Sequence, residues 1–78
     1  MKELRERVKL NTETLPKLLG KLYRFQSQVL VKLEGGVILE MLELVDLNDF
    51  LVTKGYPYVT VVSKSYGYEL EVPTSIER

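Results

Sequence analysis

Residues 28–62, QVLVKLEGGVILEMLELVDLNDFLVTKGYPYVTVV, set the architecture. Two apolar segments, residues 28–33 and 37–41, flank Glu34-Gly35-Gly36. A glycine pair enters the positive-φ region without steric cost, so the segments read as two strands of an antiparallel hairpin. Leu44, Leu47 and Leu51 then recur at helical spacing with Asp46, Asn48 and Asp49 between them, and Lys54-Gly55 supplies a stop. Residues 58–62 are β-branched and aromatic and enter on Pro57, which predicts another strand. Strand, strand, short helix, strand is the signature of an α+β domain.

Working outward, residues 4–10 alternate, with Leu4, Glu6, Val8 and Leu10 on one side and Arg5, Arg7 and Lys9 on the other, as in a half-buried first strand. Asn11-Thr12-Glu13-Thr14 is a turn and helix-start cluster, with Thr14 the expected N-cap and Pro16 in the first turn, where a missing N–H costs nothing. Leu15, Leu18, Leu19, Leu22 and Phe25 make one helical stripe opposite Lys17, Lys21 and Arg24. Gly20 interrupts this helix and is expected to mark a close approach to a strand. Ser63-Lys64-Ser65 reads as a turn, and Tyr66, Tyr68, Leu70 and Val72 alternate with Gly67, Glu69 and Glu71 in a fifth strand ended by Pro73. The expected order is β-α-β-β-α-β-β in a single domain over residues 1–78, with helices on one face of a mostly antiparallel sheet.

Composition narrows the function. The chain has 78 residues, 45% hydrophobic and 28% charged, the balance of a folded domain with a thin core. No run is long and apolar enough to span a bilayer, and MKELRERVKL is too charged for a secretory leader, so a cytoplasmic protein without membrane contact is expected. Without cysteine there is no disulfide, no thiolate nucleophile and no thiolate metal site. Without histidine the commonest general base, metal ligand and triad member is gone. The expectation is a protein that is not an enzyme and carries no cofactor or metal. An enzyme relying on carboxylates, lysine or tyrosine alone is the third-ranked reading.

Glu40, Glu43, Asp46 and Asp49 fall three apart and suggest an oxygen-ligand cation site, but they lack the dense spacing of a calcium loop, and a solvated acidic face accounts for them better. Residues 1–30 hold seven Lys/Arg against three Glu, and residues 31–78 hold four against eight Asp/Glu, although the formal net charge is zero. Opposed fields of this kind favour head-to-tail association, while two solvated faces of one domain are the plainer explanation. The Arg5/Arg7/Lys9 row, with Tyr56, Tyr58, Tyr66 and Tyr68 elsewhere in the chain, is the candidate polyanion surface of a small nucleic-acid-binding module. That module ranks second, because three charges are few and the pI is about 6.3.

The stretch from Tyr23 to Ser65, YRFQSQVLVKLEGGVILEMLELVDLNDFLVTKGYPYVTVVSKS, resembles the middle of HPr, the histidine-containing phosphocarrier family of the bacterial sugar phosphotransferase system. The likeness lies in Phe25 closing the first helix, the hairpin at Gly35-Gly36, the leucine-bearing segment 44–51, Thr53-Lys54-Gly55 and the strand at 58–62, and it spans roughly residues 4–64. It implies an HPr-like open-faced sandwich. It also places Glu13-Thr14-Leu15-Pro16 on the family's His-Thr-Arg-Pro phosphorylation motif, keeping Thr and Pro and losing the phosphorylated His and the Arg. The family's regulatory serine falls near Glu43. The family's final helix has no counterpart here, so the resemblance implies a sheet missing part of its cover. A non-catalytic interaction or regulatory protein is therefore expected, with an unidentified protein partner or a homo-oligomer. Tyr66, Tyr68, Leu70 and Val72 are its expected self-association surface.

Overall fold

In the computed structural model, residues 4–74 are described. The alternating first segment forms β1 (Leu4–Lys9), followed by α1 (Thr14–Phe25), β2 (Gln28–Leu33), β3 (Ile38–Glu43), α2 (Leu44–Lys54), β4 (Tyr58–Lys64) and β5 (Gly67–Val72). The fold is α+β, in the expected order β-α-β-β-α-β-β, with a mixed five-stranded open sheet and two helices.

The start of α1 is held one turn earlier than Thr14. The Asn11 side-chain oxygen accepts from the backbone N–H of Glu13 and Thr14, each at 2.8 Å, and the Asn11 N–H donates to the Thr14 hydroxyl oxygen at 3.0 Å. This reciprocal pair does the work of a capping box, so Asn11 caps the turn and Thr14 reaches back to it. The Thr14 hydroxyl also donates to the Lys9 carbonyl, tying the helix start to the end of β1. Leu15, Leu18 and Leu22 face inward, while Phe25, expected on the same stripe, is exposed and its ring meets that of Tyr68 in a T-shaped contact. Gly20 approaches no strand: a methyl group added there meets nothing within 4 Å. It is simply a weak point in an exposed helix surface. Gly20→Ala is expected to stabilise the fold by about 1 kcal/mol, raising the melting temperature by roughly 4–8 °C in a thermal denaturation.

Gly35 and Gly36 both take positive φ, +101° and +102°, as the hairpin required. Strand β3 starts and ends later than residues 37–41, and one extra residue bulges it, since Val31 pairs with Glu40 but Lys32 with Ile38. Helix α2 ends on Gly55 in the left-handed conformation, whose N–H donates to the carbonyls of Leu51 and Val52.

The strands lie in the order β1-β4-β5-β2-β3; β5 is parallel to β2, and the other three pairings are antiparallel. The last strand thus occupies the centre of the sheet, which corrects the expected exposed row. Leu70 and Val72 are completely buried in one core with Leu15, Leu18 and Leu22 of α1, Leu44, Leu47 and Leu51 of α2, and Val29, Val31, Val59 and Val61 of the neighbouring strands. Tyr68 packs against that core, half-buried. Tyr66 is not in the strand, because β4 runs on to pair Lys64 with Gly67, leaving Ser65-Tyr66 as the turn. The expected gap in the cover does not fall on this row: both helices pack over it. Among the described residues, no helix covers the opposite face of the sheet.

Candidate functional site

Strand register assigns the helix-free face. Rows run across the sheet from β1 to β3 as Arg5, Val62, Glu69, Leu30, Met41 and as Arg7, Thr60, Glu71, Lys32, Ile38. The two glutamates lie on the central strand and are only 3% and 7% exposed. A buried carboxylate needs donors to replace the water it loses. Glu71 receives the Arg5 guanidinium at 2.8 Å, and Glu69 receives the Lys32 ammonium at 3.4 Å and the Tyr66 hydroxyl. Val62 is fully buried here although no helix lies over it, with Arg5 and Glu69 beside it in its row. The long aliphatic stems of charged side chains provide that kind of cover.

The candidate polyanion row is therefore part of a face of mixed sign. Arg5 pairs with Glu71, the Arg7 guanidinium stacks 4.2 Å above the Tyr58 ring, and Lys9 stands exposed in register with Tyr58. Tyr58 in turn donates to a Glu34 carboxylate oxygen at 3.3 Å. Glu69 and Glu71, in the middle of the face, are buried against Lys32 and Arg5, so Arg5 is already committed to a carboxylate. Glu69 and Glu71 were not singled out from the sequence. The available signal was the Glu-x-Glu alternation of residues 69–71 against the Arg-x-Arg-x-Lys alternation of residues 5–9, which becomes informative only once both rows lie on one side of one sheet.

Glu13, Thr14, Leu15 and Pro16 stand at the start of α1. Glu13 is exposed and its side chain makes no capping hydrogen bond, Thr14 is engaged as described, and Leu15 is in the core. Leu15 and Pro16 also line a cleft of about 460 Å³ between the start of α1 and the end of α2, with Leu10, Asn11, Leu51 and Tyr56 among its other walls. No carboxylate, amine or guanidinium lines this cleft, and Tyr56 is the ionisable side chain in its wall. Glu40, Glu43, Asp46 and Asp49 are all exposed along β3 and α2. Among the described residues no group of three or more His, Cys, Asp or Glu is placed to hold a metal ion. No helix among them is long and apolar enough to cross a membrane.

The most distinctive surface is the β3 edge. Val37, Ile38 and Met41 are 60%, 62% and 56% exposed, Leu39 is also exposed, and so is Val45 at the start of α2. Single exposed apolar residues are ordinary, but a run of them on an open sheet edge is not. Sequence periodicity pointed to the wrong apolar row, because a strand's apolar residues carry no mark of whether the strand ends up central or at an edge. Compared with protein-family models, with curated proteins and with solved structures, the chain gives no match.

Proposed function

We propose that the protein is a non-catalytic, self-associating interaction or regulatory domain on an HPr-like scaffold, and that it binds protein through the β3 edge. The observation that carries this reading is the exposed apolar run of Ile38, Leu39 and Met41 on an open strand, with Val37 just before it. Apolar area of this kind is stabilised by burial at about 25 cal/mol per Å², and an unpaired strand edge adds backbone groups that a second chain can satisfy. The scaffold likeness is supported by the order of elements and by Thr14 and Pro16 at the start of α1. Glu13 stands where phosphocarrier chemistry needs an imidazole, and a carboxylate there forms no phosphohistidine. The likeness stops at the C-terminus, where β5 enters the middle of the sheet.

Sedimentation velocity across the micromolar range tests the reading. The expected result is a weight-average mass that rises with concentration above the 9.0 kDa of one chain, and that falls back when Met41 is replaced by Lys. A single 9.0 kDa species at every concentration would remove self-association from the proposal.

A further inference from the structure

The two edges of the sheet differ in both sign and direction. β1 presents Arg5, Arg7 and Lys9 with one acid, Glu6, whereas β3 presents Glu40 and Glu43 and no base. β1 is antiparallel to β4, β4 to β5, β5 parallel to β2, and β2 antiparallel to β3, so β1 and β3 run in opposite directions. A second copy displaced along the sheet therefore offers its β1 antiparallel to the first copy's β3; the basic row of β1 and Glu43 share the helix-free face, whereas Glu40, in register with Val31, lies on the other. Among the described residues no strand occupies the outer side of either edge.

We propose that β3 takes β1 of a second copy, head to tail, extending the sheet from one molecule into the next. This rests on the reading of the β3 edge as the interaction surface and names its occupant. The faces restrict the register. Arg7 and Glu43 both lie on the helix-free face, and Val8 and Leu42 both lie half-buried on the helix face. Placing Arg7 opposite Glu43 sets Val8 opposite Leu42 and Lys9 opposite Met41, which joins one pair of unlike charges on one face and one apolar pair on the other. Sliding by two residues to set Arg5 opposite Glu43 puts Glu6 against Leu42 and loses the apolar pair. The bulge in β3 leaves residues 40–43 as the regular part of the edge, so the shared ladder is short and the association reversible. The contact joins two different surfaces, so nothing in it closes at two chains, and opposite charges across it make it sensitive to salt.

The absence of cysteine allows a direct test. Directly opposed residues of an antiparallel pair have Cα atoms about 4.5–5.5 Å apart, within disulfide range. Lys9→Cys and Met41→Cys leave the Arg7–Glu43 contact intact and replace exposed side chains. Mixed and mildly oxidised, the two variants are expected to form the 9–41 link several-fold faster than either forms a 9–9 or 41–41 link alone. A dominant 41–41 link would overturn head-to-tail packing while leaving the β3 edge as the interaction surface. A chain that stays monomeric at all concentrations would sink both. As a second arm, Arg7→Glu and Glu43→Lys are each expected to weaken association about tenfold, and both in one chain to restore it. A double variant as weak as the singles, with an unchanged circular dichroism spectrum, would also overturn the proposal.

Discussion

Truncating Leu22 to Ala is expected to lower the folding stability by about 3 kcal/mol, within the range of roughly 2–5 for a buried leucine. Leu22 is wholly buried on α1, in the core that α1 and α2 form with the strands. The cost combines lost transfer free energy with a cavity that a close-packed interior fills only partly. A domain of this length carries roughly 4–12 kcal/mol in total, so one side chain represents a large share of it. Thermal unfolding followed by circular dichroism should show a fall of roughly 12–24 °C. A change under about 1 kcal/mol would mean that the helices are not seated on the sheet as described.

The second large effect falls on the face that no helix covers. Arg5→Ala is expected to cost about 1–2 kcal/mol, more than an ordinary surface ion pair. Its partner Glu71 is almost fully buried, and removing the cation leaves that carboxylate poorly compensated. The figure sits below the 3–5 kcal/mol typical of a fully buried pair because the Arg5 side chain is itself 52% exposed, so water and salt screen the interaction. Arg7→Ala, which removes only a stacking contact on Tyr58, is expected to cost about 0.5 kcal/mol. Urea denaturation of the two variants gives the comparison, and a double-mutant cycle with Glu71→Ala should show coupling between Arg5 and Glu71. Equal losses for Arg5→Ala and Arg7→Ala would show that water already compensates Glu71.

Much of the local structure was legible because it is written in short-range chemistry. The Gly35-Gly36 hairpin, the helix stop at Gly55 and the leucine spacing of α2 each depend on residues within one or two turns of one another. Errors arose where a local signal had two physical sources. Thr14 fits an N-cap by type, but Asn11 takes that role because the first turn begins there. Gly20 suggested close packing, yet its surroundings are open. The extent of the last hairpin was set by pairing between Lys64 and Gly67, which residue type does not encode.

The largest difference concerns β5. Alternation identified its two faces but not its place in the sheet, and that place decides the energetics of every residue on it. Between β4 and β2, its apolar row joins the core and its glutamates become buried acceptors for Arg5 and Lys32. At an edge, the same residues would have formed the exposed surface that the sequence suggested.

The amino-acid sequence by itself determined the element types and their order, the absence of any cysteine or histidine chemistry, and the unlike charge of its two halves, because these depend on composition and on contacts between near neighbours. Only the tertiary structure decided that β5 lies at the centre, that Glu69 and Glu71 face the basic row, and that the exposed apolar strip lies on β3. Strand order is a long-range property, set by which pairing buries the most apolar surface while satisfying the backbone, and no local pattern carries it.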